Sequence, residues 1–363
     1  MRQADPRHEG MSGSRPLVGI VANPVSARDI RRVIANATSL QITDRANIVL
    51  RVLACLRSCG VADVLMMPEK GGIRGHVQRG LNRAANTGDA QFPVVHYVDM
   101  PVTGTVDDTV RAVVAMREQG VSALIVLGGD GTHRAVATAC ADIPIAGIST
   151  GTNNAFPEHR EPTITGLAVG LAVTGRVPPS TAYRANKRLI VAVNDGETRE
   201  VALVDVAVVS EGYVGARAVW RTQTFRELFV TFADPEVIGM SAIAGLLEPI
   251  SRTESGGLLV RLSPVEAASV VLHTPIAPGL IRPVGIKDWR RIQPNGPIAL
   301  ETSAGTIALD GERELSFSER DHVAVTLEEN AFRTVDAGAC MHYAARNRLF
   351  QEVAMAAPDL SEV

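Results

Sequence analysis

No apolar run in this 363-residue chain reaches the ~20 residues that a helix needs to span a bilayer, so a membrane span is not expected. Nor does one sign of charge dominate: 36 Lys and Arg stand against 39 Asp and Glu, a formal net charge of −3. Nucleic-acid binders usually carry a basic surplus, so nucleic acid is not the expected partner. A basic amphipathic segment with an aromatic belt, the mark of a lipid-facing surface, is also missing. Cysteine is scarce. Cys55, Cys59, Cys140 and Cys340 make no Cys-x-x-Cys pair, and no His or Cys cluster joins Cys55 and Cys59. Buried reduced thiols and no dedicated metal cage are expected, in keeping with a cytoplasmic protein. Met1 to Arg15 are polar, lack the apolar centre of a secretory signal and read as a mobile tail. No internal repeat or low-complexity tract is present.

What is there fits about two domains of ~150 residues each. Apolar residues make up 46% of the chain, enough for a sizeable core. Apolar strand patterns at Leu17–Asn23, Asp63–Met67, Pro93–Val98, Ala123–Leu127 and Pro144–Ile148 alternate with helical patterns. One helix is expected over Asp44–Cys59, and another opens at Thr105, where Val106, Val110, Val113 and Val114 share a face. Thr105 and Asp108 resemble a capping box there. Such alternation implies a mostly parallel sheet covered by helices, with ligands beyond the carboxyl ends of its strands.

The second half reads differently. Ile164, Leu167, Ala168 and Leu171 suggest a helix leading across. Leu189–Val193 and Glu200–Val209 flank Asn194-Asp195-Gly196, a strong hairpin signal. Leu258–Leu262, Ser269–His273, Pro297–Glu301, Thr306–Leu309, His322–Leu327 and Phe332–Asp336 look like further strands, and Ala339–Phe350 like a closing helix. The expected organisation is a tail over residues 1–15 and a Rossmann-like α/β domain for nucleotide or phosphate over 16–160. A β-rich substrate domain over 161–335 and a C-terminal helix over 336–363, returning to the first domain, complete it.

The most informative stretch is Ser122 to Thr132, where an apolar strand runs into Gly128-Gly129-Asp130-Gly131-Thr132 and then a helical pattern from His133. Glycines permit unusual backbone angles and close approach of a ligand to the main chain. A helix start offers unpaired N–H groups and a positive dipole end, which suit phosphate. Asp130 is the odd member. A carboxylate beside phosphates is repelled unless it meets a metal ion or takes a proton, and that combination suggests phosphoryl transfer.

Three further segments bear on Asp130. Asn23-Pro24-Val25-Ser26 follows the first strand and offers an amide and a hydroxyl, with Arg28, Arg31 and Arg32 beyond; the bland alternative is an ordinary Asn-Pro turn. Ser149-Thr150-Gly151-Thr152-Asn153-Asn154 is dense in groups that read ribose hydroxyls or a base edge, though a polar loop with an Asn cap has the same composition. Asp310-Gly311-Glu312 lies between strand patterns and reads first as a hairpin turn.

In this order the segments resemble the superfamily of NAD kinases and diacylglycerol/sphingosine-type lipid kinases. Its pattern is Asn-Pro-x-Ser-Gly, Gly-Gly-Asp-Gly-Thr, Gly-Thr-x-Asn and a late Asp-Gly-Gln/Glu turn. With Asp29-Ile30-Arg31-Arg32 and Arg134, the chain is most similar to the acetoin-catabolism protein X group of ATP-NAD kinase-like proteins. The resemblance runs from Val18 to about Leu349. It implies a two-domain kinase, cytoplasmic and homo-oligomeric, with its site in the interdomain cleft. The donor would be ATP or polyphosphate with Mg²⁺, and the acceptor a hydroxyl of NAD. It further implies Asp130 as general base or magnesium-linked acid. Gly128, Gly129, Gly131 and Thr132, with Arg134, would lie at phosphates, and Asn23 and Ser26 near the donor. Gly151, Thr152, Asn153 and Asn154 would lie near a nucleotide, with Asp310, Gly311 and Glu312 facing the cleft.

Two departures stand out. Ala27 replaces the family glycine. Ala202-Leu203-Val204-Asp205-Val206 aligns with the Ala-Leu-Asn-Glu-Val of the NAD kinases, whose Asn-Glu pair helps hold NAD; Val204 replaces the Asn and Asp205 the Glu. Another small hydroxyl metabolite linked to acetoin breakdown is therefore the alternative acceptor, and a non-catalytic nucleotide-binding regulator the alternative of another class. Weaker candidates are His133, expected to be an exposed residue of a first helical turn, and His96 and His273 in apolar strand contexts. Phe225, Phe229 and Phe232 have helical spacing and read with Trp220 as packing. The basic run Arg282 to Arg291 reads as a solvated loop.

Overall fold

The structure, a computed structural model, describes residues 15–24, 40–88, 91–150, 154–210 and 222–351. Five strands of the first half are parallel: β1 (Leu17–Ala22), β2 (Asp63–Met66), β3 (Val94–Tyr97), β4 (Ala123–Gly128) and β5 (Ile145–Ser149). They lie in the order β3-β2-β1-β4-β5. Helices α1 (Ile42–Ser58), α2 (Ile73–Thr87), α3 (Asp107–Glu118) and α4 (Asp130–Ala139) connect and cover them. Every residue of β4 is buried, as expected of a parallel strand covered on both faces. The order reverses between β1 and β4, and open α/β sheets bind ligands at such a reversal. The turns after those two strands are the Asn23 turn and the Asp130 turn.

Helix α1 buries Ala46, Val49, Val52, Leu53 and Leu56 against this sheet. On its flank it meets α5 (Pro162–Val173) so closely that a Cβ at Gly170 would come 2.5 Å from Cys59 Cβ. Cys55 and Cys59 are thus packing residues, and all four cysteines are free and buried. The capping box expected at Thr105 does not form. The Asp108 carboxylate instead accepts the N–H groups of Thr103 and Gly104, upstream of the helix, where the chain folds back over its own first turn.

The second half begins with α6 (Pro179–Ala182), β6 (Tyr183–Val193), β7 (Thr198–Ala202), β8 (Asp205–Val209), β9 (Phe225–Val230) and α7 (Met240–Leu247). It continues with β10 (Gly257–Ser263), β11 (Val270–Ala277), β12 (Leu280–Ile292), β13 (Ile298–Ala299), β14 (Gly305–Leu309), β15 (Glu312–Phe317), β16 (Val323–Val335) and α8 (Ala337–Arg346). These strands divide between two sheets. β16 lies parallel to β5 through Thr334 and Ile145, β6 pairs with β16 antiparallel, and β7 with β6, so the first sheet runs on as β5-β16-β6-β7. β13 also pairs with β16. The second sheet is antiparallel in the order β11-β12-β10-β9-β8-β14-β15. Leu189, Val191, Val325 and Leu327 of the first sheet pack on Val206, Val208, Phe229, Ile307 and Leu309 of the second. Ala337, Cys340 and Ala344 of α8 return to the core of the first sheet beside α5.

Four expectations are corrected. Glu200–Val209 is not one strand: it changes sheets at Leu203-Val204, whose N–H groups turn to a side chain rather than to a neighbouring strand. Phe225 and Phe229 lie on β9, not a helix. A register shift beside them breaks the period of two, so they enter different cores, and the leftover spacing imitates a helix. Arg282–Arg291 is strand β12, and Arg291 on it pairs with Glu248 and Glu254. His322–Leu327 and Phe332–Asp336 belong to one strand, β16, interrupted by an irregularity between Glu328 and Phe332. Among the described residues no helix is long and apolar enough to cross a membrane.

Candidate functional site

The site forms where the carboxyl ends of β1 and β4 meet the edge of the second sheet. Gly128 ends β4, and Gly129 is the N-cap of α4 with extended angles. None of Gly128, Gly129 and Gly131 has positive φ, so backbone freedom is not what selects them. Space is. A Cβ at Gly128 would come 2.4 Å from Thr132 Cβ, and one at Gly129 would come 3.0 Å from Asn154 Oδ1. At Gly131 a Cβ would meet nothing within 4 Å among the described residues. The Asn23 side-chain amide donates to Thr132 Oγ1 at 3.2 Å, joining the first turn to the second. Asn154 Nδ2 donates to Ser149 Oγ at 2.8 Å. Ser26, Gly151, Thr152 and Asn153, with Ala27, Arg28 to Arg32 and Trp220, lie outside the described residues.

Asp130, the first residue of α4, is only 8% exposed. Its two oxygens accept the N–H groups of Ala155 and Phe156, each at 3.0 Å. Burial, then the nearby Asp310 carboxylate, push its pKa up to about 7, against the pull of those N–H groups and of Arg252. This is a carboxyl poised to exchange a proton near neutrality. Arg252, between α7 and β10, donates to the carbonyls of the same two residues, at 2.8 Å from Nη1 to Phe156, and from Nη2 to Ala155. Its guanidinium lies 4.0 Å from the centre of the Phe232 ring. Lys187 of β6 donates to the carbonyls of Ser251, Glu254 and Gly256, which fixes the loop that carries Arg252.

Asp310 and Gly311 form the turn between β14 and β15, both at positive φ, as a two-residue hairpin requires. The turn is more than a connection. Asp310 Oδ1 accepts three successive N–H groups, from Leu203 at 3.0 Å, Val204 at 2.8 Å and Asp205 at 3.3 Å. That cap is where the chain leaves the first sheet for the second. Burial raises the Asp310 pKa, opposed mainly by Arg134 and those N–H groups. Arg134 of α4 donates to the Leu309 carbonyl at 2.9 Å and stands 4.0 Å from Asp310 Oδ2. Asp205 is buried at the start of β8, and Glu312 opens β15. Contacts thus link Asn23 to Thr132, Gly129 to Asn154, and Arg134 to the Asp310 turn.

His133 is not an exposed residue of a first turn. It is fully buried, one ring nitrogen 2.9 Å from the Gly129 carbonyl, and burial lowers its pKa to about 4. A Cβ at Gly147 would come 2.7 Å from His133 Nε2, so the ring packs against β5. Two residues that brace the candidate site escape sequence reasoning. Arg252 sits in a loop with no local pattern. Arg45, 1% exposed, donates to the Asn23 carbonyl at 2.7 Å and to Thr150 Oγ1 at 3.4 Å, tying together the ends of β1 and β5. A signal for Arg45 existed: it lies one turn before Ile48 and Val49 on the apolar face of α1.

The family model of the ATP-NAD kinase N-terminal domain matches residues 18–175, and that of the acetoin catabolism protein X C-terminal domain matches residues 187–330. Acetoin catabolism protein X of Cupriavidus necator is 54% identical over 341 residues, covering 93% of this chain and 95% of that protein. The crystal structure of yeast NADH kinase complexed with NADH has a similar fold, with a TM-score of 0.51 at 13% identity, over 95% of this chain and 91% of that one. At that identity the likeness concerns the fold alone.

Proposed function

Because the chain belongs to the acetoin catabolism protein X family and carries an ATP-NAD kinase N-terminal domain, we propose that it is a phosphotransferase. It moves a phosphoryl group from ATP or polyphosphate to a hydroxyl of a small acceptor, with NAD the first acceptor to test. The observation that carries this reading is Asp130: a buried carboxyl poised near neutrality at the start of a helix where, among the described residues, nothing lies within 4 Å of a Cβ at Gly131. Asp130 takes the acceptor proton as the acceptor oxygen bonds to the terminal phosphorus and the bond to the leaving phosphate breaks. Asn23 and Thr132 line the phosphate side, and Arg134 holds the second sheet against it. Among the described residues no group of three His, Cys, Asp or Glu is placed to hold a metal ion. Mg²⁺ would then arrive on the donor phosphates and supply charge neutralisation.

A second acceptor has an observation in its favour. Val204, where the NAD kinases carry Asn, is fully buried in the apolar core, and its N–H is committed to Asp310. Position 204 therefore offers an acceptor no side-chain hydrogen bond. This supports a small hydroxyl metabolite other than NAD. The test combines purified protein, Mg²⁺, ATP or polyphosphate, and NAD, read as NADP formed. Turnover that disappears in Asp130→Asn supports the NAD reading. No NADP, with phosphate transfer in a screen of hydroxyl metabolites, supports the second. No Asp130-dependent transfer to any acceptor overturns both.

A further inference from the structure

Ala155 and Phe156 are held from two sides. Their N–H groups both point to Asp130, one to each carboxylate oxygen, and their carbonyls both accept from the guanidinium of Arg252. A buried acid and a half-buried guanidinium thus face each other across two peptide groups instead of meeting in an ion pair. Each Asp130 oxygen still has lone-pair capacity beyond the one N–H it accepts. Arg252 is aimed by the Phe232 ring beneath it and by the loop that Lys187 fixes. A planar fork spans two adjacent carbonyls; an ammonium, a single point of charge, does not.

We propose that Arg252 is a positioning residue for Asp130, acting through Ala155 and Phe156. It fixes the peptide pair whose N–H groups set the place of the carboxylate and favour its charged form. This rests on the reading of Asp130 as proton acceptor in phosphoryl transfer, but the hydrogen-bonded arrangement itself can be tested without substrate. The other charged groups near the pair are Asp310 and its partner Arg134 from one side, and Glu158, Arg184 and Asp234 around Arg252. His133 of α4 stays neutral near pH 7.

The test follows the backbone amide resonances of Ala155 and Phe156 in the isotopically labelled full chain as pH is varied. Both are expected to move together in one titration that vanishes in Asp130→Asn. Arg252→Met removes a nearby positive charge and the carbonyl clamp, so the midpoint should rise by about one pH unit. Arg252→Lys keeps the charge without the fork and should shift it less. The activity limb should move by the same amount in each variant, while the KM for the phosphate donor stays within a few-fold. A midpoint in Arg252→Met equal to that of the natural protein overturns the proposal. Should that variant fail to fold, Arg252→Lys decides: unmoved amides and an unmoved midpoint overturn it. If the natural protein transfers phosphate to no acceptor yet the amides titrate with Asp130 and respond to Arg252, the kinase reading fails and the positioning role stands.

Discussion

Asp130 accepts a proton only when ionised, and its surroundings hold that change near pH 7. The initial rate of phosphoryl transfer should therefore climb with pH through a midpoint near 7 and flatten above it. Asp130→Asn should lower the rate about 10²–10⁴-fold, the usual cost of a lost general base, and leave donor affinity within a few-fold. A flat profile between pH 6 and 8 in the natural protein would remove Asp130 from the rate-limiting proton transfer. His133 gives a stability effect of definite sign. Its folded pKa, about 4, lies below the ordinary 6.5, so the unfolded chain binds the extra proton between those values. The stability that neutral burial provides is complete above pH 6.5 and lost as pH falls toward 4, about 3 kcal/mol in all. Asp130, with its raised pKa, slopes the other way over much of this range. The measurement is thus the difference between the natural protein and His133→Gln in urea unfolding at each pH, in which the Asp130 contribution cancels. A constant difference from pH 7 to pH 4 would contradict the buried neutral imidazole.

At the scale of elements, the crossing from β7 to β8 depends on one side chain. Asp310→Ala would leave the N–H groups of Leu203, Val204 and Asp205 buried without their acceptor. Unmet buried donors cost about 1–3 kcal/mol each, so a loss of about 3 kcal/mol or more is expected in urea unfolding. Asp310→Asn, which retains Oδ1, should lose less; equal stability of Asp310→Ala and the natural protein would show that the crossing is held by other contacts. Gly128→Ala should also destabilise, by about 1–3 kcal/mol, because its methyl overlaps Thr132 Cβ and the start of α4 must move. Thermal unfolding within a degree of the natural protein would refute that packing. The same elements show what was legible in the sequence. β1 to β5 are short apolar runs bounded by turns and helical patterns, so each announces itself. Glu200–Val209 keeps a strand pattern straight through its change of sheet, because both sheets bury it and the agent of the change, Asp310, is far away in sequence. The charges of β12 conceal a strand that needs apolar residues on one face only. The motifs around Asp130 and Asp310 stand out because their glycines and acids are locally odd, whereas Arg252 gains its meaning only from carbonyls brought to it by folding.

Across the whole molecule, the second half of the chain closes the first sheet. β5 is flanked on one side by β4 and on the other by β16, and α8 packs into the core that α1 and α5 share. A fragment ending near residue 176 therefore lacks a strand, a helix and the cover of an apolar edge. It should be recovered mainly as aggregate, and co-expression with the remaining residues should restore soluble material. A monomeric fragment with a cooperative unfolding transition would show the first half to be self-sufficient. The two sheets are also tied by Arg134, whose guanidinium reaches the Leu309 carbonyl from α4. Any opening of the site must break that bond or carry both sheets together.

The placement of β16 has a temporal consequence as well. Arg333, on that strand, donates to the carbonyl of Asp142, 191 positions earlier, just before β5 begins. At a synthesis rate of ~5–20 residues per second, the earlier edge waits roughly ten to forty seconds for its neighbour to leave the ribosome. Throughout that interval the nascent chain displays an apolar strand with one edge unpaired, the feature that invites wrong pairing. Closing the sheet through so distant a contact also makes folding slow. Yield in the cell should consequently depend on translation speed and chaperone supply more than on the stability of the finished protein.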